Sequence, residues 1–286
     1  MKILVLMTFM VAPLAMADPF QSENIPAEAQ WYLHGDLTGL RKTNTGGFLL
    51  AQIRKDKADT IDEIETLFGF DPLEDLTGIT LFGTGKSDEI AITLTGEFAR
   101  AQLEEVIVQA DDYNFSISGT TKIHSWDDNG RTQHAGFHNN DTIVISQQKE
   151  LLELALDVLA GKKPSFKADL TPPSKESVLV GYANIQNIEI PLDEGSHIVR
   201  KADSIFMTLG ENQNRLVANM VISTDSEQMA SRMMHALAGL VSLGEFADKN
   251  IEGLDILHSG KTSGKTMTMT MSLPTANALA LISELK

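Results

Sequence analysis

The chain has 286 residues, 42% of them hydrophobic and 22% charged, with 21 Gly, 9 Pro and no Cys. This composition excludes a wholly disordered or collagen-like chain, and the missing Cys excludes a disulfide scaffold, a thiol nucleophile and a thiolate metal centre. A formal net charge of -16 argues against nucleic acid or anionic membrane surfaces as partners.

The chain opens on Met1-Lys2, continues as an uncharged apolar run over residues 3–14, and reaches Ala15-Met16-Ala17 ahead of Asp18-Pro19. A basic start, a short apolar stretch and an A-x-A site make a secretory signal peptide over residues 1–17. The run is too short to span a bilayer, which takes about 20 apolar residues. The expectation is cleavage after Ala17 and release to the periplasm or the medium, with no transmembrane segment in the mature chain. Without disulfides, such a fold is held by core burial alone.

Residues 31–36 read as a strand. Residues 46–67 carry Phe48, Leu49, Ile53, Ile61, Ile64 and Leu67 among charges, the pattern of one amphipathic helix or two short ones. Asp71-Pro72 reads as an N-cap followed by proline at the first helical position. Strands are predicted at 78–83 and 89–95, where Ile90, Ile92 and Leu94 alternate, and a helix over 97–110. Three or four short strands follow, at 114–118, 121–126, 131–137 and 142–146, with Asn139-Asn140 as a hairpin turn, and a helix with one apolar face closes the unit over 149–159.

A polar, proline-rich stretch over residues 164–176 is the expected linker. After it the order of elements repeats: strands over 178–183, 205–209 and 215–223, then a helix over 226–243. Ile117-Ser118-Gly119 leads to His124-Ser125 as Ile251-Glu252-Gly253 leads to His258-Ser259, and residues 142–159 align with 268–285. The period is about 130 residues, which predicts a duplicated domain rather than a solenoid repeat. The fold class expected is α+β: two similar domains, residues 18–163 and 177–286, each an antiparallel sheet with helices packed on one face.

Chemical motifs are few. Gly83-Thr84-Gly85-Lys86-Ser87 ends like a phosphate loop, but Thr80 stands where the motif needs Gly and a strand follows. Gly264-Lys265-Thr266 fails in the same way, so both read as polar turns. The serine-hydrolase elbow and the H-E-x-x-H motif are absent. The histidines form one cluster: His124, His134 and His138 lie within 15 residues. Positions 134 and 138 share a strand face, and three imidazoles can hold zinc or copper. Against that reading, partly exposed strand histidines more often bond backbone or water, and no carboxylate support is visible. The alternation of Met267, Met269 and Met271, with Met229, Met233 and Met234 on a helix, is core packing rather than a copper relay.

Phe68-Gly69-Phe70-Asp71-Pro72-Leu73 with Asp75-Leu76, then Ile123-His124-Ser125-Trp126, Gly136-Phe137-His138 and Ala155-Leu156-Asp157-Val158-Leu159-Ala160-Gly161-Lys162, is similar to an uncharacterised family of secreted proteins of planctomycete and verrucomicrobial type. The resemblance spans about residues 30–165. It implies a shared fold and export, and it assigns no activity and no catalytic residue.

The leading expectation is a non-enzymatic, exported binding or scaffold protein whose partner is another envelope protein, with no cofactor. The alternatives are a metal-binding protein or metal-dependent hydrolase centred on His134, His138 and His124, and a small-molecule or lipid binder in a cleft between the two halves.

Overall fold

The computed structural model describes residues 20–167, 176–189, 199–247 and 255–284. The expected signal peptide, residues 168–175 of the expected linker and the Ile251-Glu252-Gly253 match lie outside the described residues.

The elements in chain order are β1 (Trp31–Asp36), α1 (Leu37–Arg41), α2 (Asn44–Asp56), α3 (Ala58–Phe68), β2 (Leu76–Gly83), β3 (Ile90–Gly96), α4 (Arg100–Ile107), β4 (Asn114–Ser118), β5 (Thr121–Asp128), β6 (Arg131–Phe137), β7 (Thr142–Ser146), α5 (Lys149–Leu159), β8 (Ser177–Asn184), β9 (Ala202–Asn212), β10 (Arg215–Thr224), α6 (Glu227–Ala247), β11 (Leu257–Ser263), β12 (Thr266–Pro274) and α7 (Thr275–Glu284). The fold is α+β around one antiparallel sheet of 12 strands, in the order β11-β12-β10-β9-β8-β1-β2-β3-β7-β6-β5-β4. Outward from the central pair, one side runs β1-β2-β3-β7-β6-β5-β4 and the other β8-β9-β10-β12-β11, so the first five positions of each side correspond and β5-β4 extend one side alone. The two sheets expected are therefore one. β1 pairs with β8 from Trp31↔Ala183 to Gly35↔Leu179.

Local chemistry sets the ends of the elements. The Asp36 carboxylate accepts from the Gly39 backbone N–H at 2.7 Å and starts α1. The Thr43 hydroxyl accepts from Gly46 N–H at 2.9 Å and starts α2. α2 and α3 break at Lys57, whose φ of -128° is not helical. Asp71-Pro72 does not open a helix. Asp71 accepts from Leu73 N–H at 2.8 Å and from Asp75 N–H, closing a single turn that β2 immediately follows. The linker is not a free spacer where it is described: Ser165 bridges Pro26, and Phe166 is buried in the core.

Register separates two faces. The inner face carries Tyr32 and His34 of β1, Phe82 of β2, Ala91 and Thr93 of β3, Val144 of β7, Ile123 of β5, Val180 of β8 and Phe206 of β9. It is sealed by Phe20, Ile25, Ala29, Phe166 and the apolar side of α5, Leu151, Leu152, Ala155 and Leu156. Tyr32 stacks on Phe20 and Tyr182 with ring centroids 4.8 and 5.7 Å apart. Burial and the neighbouring Tyr182 push its phenol far above the ordinary range.

The outer face is covered only toward its ends. Toward one end α6 sets Met233 against Ile222, Met267 and Met269, so the methionines are core packing. Toward the other, Leu103 of α4 packs with Phe137 and Ile143, joined by Phe68, Phe70 and Phe98. Helices thus occupy both faces, contrary to the one-face expectation. α5 and α4 grip the same strands from opposite sides, because β5–β7 bury both side-chain sets.

Candidate functional site

The three histidines do not converge. His124 pairs with Ala135, whereas Ser125 pairs with His134, so His124 faces outward and His134 inward. The reason is the turn between them. Asn129 and Gly130, at φ +56° and +80°, form a two-residue hairpin that sets Asp128 opposite Arg131. Cross-strand positions then sum to an odd number, and even positions on one strand share a face with odd positions on the other. The Asn-Gly pair was the sequence signal that could have separated these histidines. His138 lies one residue beyond β6 and is exposed, its N–H bonded to Thr142 O. Among the described residues no group of three or more His, Asp or Glu gathers as a metal would require.

Three histidines, His124 and His34 buried and His134 half-buried, each have a hydroxyl partner. His124 is fully buried, its Nδ1 is 3.2 Å from the Tyr113 hydroxyl, and Phe137 meets its ring edge-on. Its Nε2 has no partner among the described residues. Burial, then the Lys122 charge, holds His124 below the ordinary histidine range. His134 Nδ1 is 2.7 Å from Ser125 Oγ, and burial, then Lys149, holds this ring low as well. His34 Nδ1 is 2.9 Å from Thr80 Oγ1. A Ser–His pair is the opening of a nucleophilic relay. Ser125 is buried mid-strand on the face that α5 covers, and His34–Thr80 repeats the same pairing, so these are cross-strand polar locks. His258, matched to His124 by sequence, is exposed on β11, which pairs directly with β12 as β6 pairs with β7.

The distinctive surface is the middle of the outer face. One cross-strand row runs Met207–Gly181–Leu33–Leu81–Ile92–Ile145 through six strands, from β9 across the central pair to β7. A second row runs Ile205–Ala183–Trp31–Gly83–Ile90. Met207 is 39% exposed, and Leu33 and Ile90 are each 37% exposed. The glycines make room for this floor. A Cβ at Gly83 would lie 2.6 Å from Trp31 Nε1, and one at Gly181 would lie 3.2 Å from Met207 Cγ and 3.4 Å from Leu33 Cδ1. The alternation of Ile90, Ile92 and Leu94 therefore marks the open face, while Ala91 and Thr93 point into the core.

At one margin of this floor lies a hollow of about 300 Å³ over Ile90, Ile92 and Ile145, edged by Arg131, Gln133 and Asp88. A second apolar hollow of about 300 Å³ lies toward the β12 side, between Leu209, Leu216, Met271 and Val241. The Gly83–Ser87 stretch is the β2–β3 connection, where Lys86 pairs with Glu89 at 2.7 Å, so it behaves as a turn. No helix among the described residues is long and apolar enough to cross a membrane.

No protein-family model and no curated protein matches the chain. Among solved structures it is similar to TP0453, a Treponema protein. One crystal form gives a TM-score of 0.54 at 12% identity over 94% of this chain and 99% of that one. Another gives 0.51 at 11% identity over 95% and 98%. At this identity the likeness shows a shared fold.

Proposed function

We propose that the chain is an exported, non-enzymatic binding protein of the cell envelope, descended from a duplicated α+β unit, that seats a partner protein on its uncovered outer sheet face. The apolar floor through Met207, Leu33 and Ile92 carries this reading. Large exposed apolar patches on a folded chain mark interaction sites, and this one crosses the seam between the two halves. The mirrored strand order about β1 and β8 supports duplication, and residues 1–17 support export.

Photo-crosslinking tests it. A benzoylphenylalanine at position 33 or 207 should give a discrete adduct with a second polypeptide in intact cells, and one at the exposed Lys57 should not. Leu33→Asp with Met207→Asp should abolish the adduct formed from position 92 while leaving the melting temperature within about 3 °C, since surface changes cost little. No adduct from either floor position would refute the reading.

One observation favours a second occupant. The hollow over Ile90, Ile92 and Ile145 joins an apolar bed to the Arg131 guanidinium, a pairing that suits a small amphiphilic anion. Titration with octanoate, read by calorimetry, should show saturable heat that Arg131→Gln removes. Heat that is unchanged in that variant would exclude the site.

A further inference from the structure

The sheet ends at β4, and among the described residues no strand pairs with its outer side. β4 runs against β5 from Asn114↔Ser125 to Ser118↔Thr121, joined by the two-residue turn Gly119-Thr120 with Gly119 at φ +60°. In such a hairpin the pair flanking the turn exchanges both backbone hydrogen bonds, and bonded pairs alternate from there. Ser118, Ser116 and Asn114 therefore direct their N–H and C=O groups to β5. Phe115 and Ile117 direct theirs outward along the free edge.

These two residues are also exposed, the two apolar ones of the strand. Phe115 is 57% and Ile117 62% exposed, on one face of the strand. The strand itself, Asn-Phe-Ser-Ile-Ser, holds no charge and no proline. The opposite edge is different. β11 carries Gly260 and Lys261 at its middle, and a lysine on an edge strand discourages pairing. One edge carries a lysine on the edge strand itself; on the other the strand is uncharged, and the nearest lysine is Lys122 of β5, whose Nζ lies 4.9 Å from the Phe115 ring centroid.

The occupant follows from the symmetry of the strand about Ser116. If two β4 strands pair antiparallel with Ser116 opposite its own counterpart, Phe115 meets Ile117 of the second copy, and Ile117 meets its Phe115. Both pairs consist of outward-bonding residues, so all four free backbone groups on each side are satisfied. Both apolar pairs fall on one face with Cβ atoms about 5 Å apart. A slip of two residues keeps the backbone bonds but loses an apolar pair.

We propose that this chain dimerises through β4, joining two copies in one continuous antiparallel sheet about a two-fold axis. The surface is distinct from the central floor and stands without it. Five residues of strand give less area than the roughly 1,200 Å² of a standard interface. Each copy also carries a formal charge of -16. The dimer is therefore weak, and salt strengthens it by screening the repulsion.

A cysteine at the two-fold axis tests it, because the chain has none of its own. Directly opposed residues in a non-hydrogen-bonded antiparallel pair lie about 4.5 Å apart at Cα, within disulfide range. Ser116→Cys should form a covalent dimer under mild oxidation. Asn140→Cys, in the exposed β6–β7 turn, should stay monomeric. Adding Ile117→Lys should cut the Ser116→Cys dimer at least tenfold with no change in melting behaviour. Sedimentation velocity of the unmodified chain should show the dimer fraction rising with concentration, and rising further from about 0.05 to about 0.5 M salt. A single monomeric species throughout, with Ser116→Cys no more oxidised to dimer than Asn140→Cys, would overturn the proposal.

Discussion

Removing His134 separates a structural lock from a chemical site. His134→Ala deletes the partner of Ser125 Oγ, a hydroxyl only 2.7 Å away in a residue that is buried. A buried hydroxyl left unpaired costs about 1–3 kcal/mol, and loss of the half-buried ring adds about 1 kcal/mol. The expected loss for His134→Ala is thus about 2–4 kcal/mol. Ser125→Ala leaves an imidazole nitrogen unpaired nearer to solvent and should cost about 1 kcal/mol. The double variant should cost less than the sum by about 1 kcal/mol, the coupling of one hydrogen bond. Urea unfolding followed through Trp31 and Trp126 reads all three, since Trp126 adjoins Ser125. A coupling of zero would show that the bond contributes nothing. Loss of bound zinc or of an esterase activity with stability unchanged would show that the pair works in chemistry.

Acid should weaken the fold through two rings. His124 and His134 titrate below their unfolded value of about 6.5, so the unfolded chain binds more protons as pH falls past that point. Stability is full above about pH 6.5 and drops below it, by at most about 1.4 kcal/mol per pH unit per ring, until the folded rings protonate in turn. His124→Gln with His134→Gln should flatten the urea midpoint between about pH 7.5 and 5.5, and an unchanged slope would contradict the assignment. Glu211 of β9 accepts from Thr45 N–H at 2.9 Å and Asn44 Nδ2 at 2.9 Å at the start of α2. Burial opposes its ionisation, but these bonds outweigh it and hold the carboxyl below its ordinary value. Glu211→Ala should cost about 1–3 kcal/mol in urea unfolding, Glu211→Gln less, and equal losses would deny the charge a role. Ile90→Ser should cost under about 1 kcal/mol while Ala91→Leu costs about 1–3, an order that would reverse if the alternation marked the core.

Much of the fold was legible where local chemistry decides it. β4, β6, β7 and α5 match the sequence reading because paired turn residues and a strong apolar face set their limits. Asp71-Pro72 misled because an N-cap and a helical φ do not make a helix when the chain must enter β2 four residues after Pro72. The number of sheets was not legible. The β1–β8 pairing joins segments about 150 residues apart, and no local pattern encodes such a contact. The histidine cluster failed for a narrower reason: which faces two strands share depends on the parity of the turn, and His124 and His134 straddle a two-residue turn. Counting from Asn129-Gly130 separates them.

The central floor is the part that folding alone does not explain. On β3 the residues directed into the core are Ala91, Thr93 and Thr95, and those directed to the open face are Ile90, Ile92 and Leu94. Burial by itself favours the reverse, since a buried threonine must find hydrogen-bond partners and an exposed isoleucine gains little. The same inversion holds on β1, where His34 is buried and Leu33 is open. Exchanging the faces would cost the sheet no backbone bond and would place more apolar area in the core. Stability alone does not call for this arrangement, whereas the proposed seating of a partner on the outer face would. The aliphatic side chains are held between α4 and α6 on a rigid sheet, so an incoming partner pays little for ordering them. Under the proposed function, the inverted alternation is the trace that a seated partner would leave in the sequence.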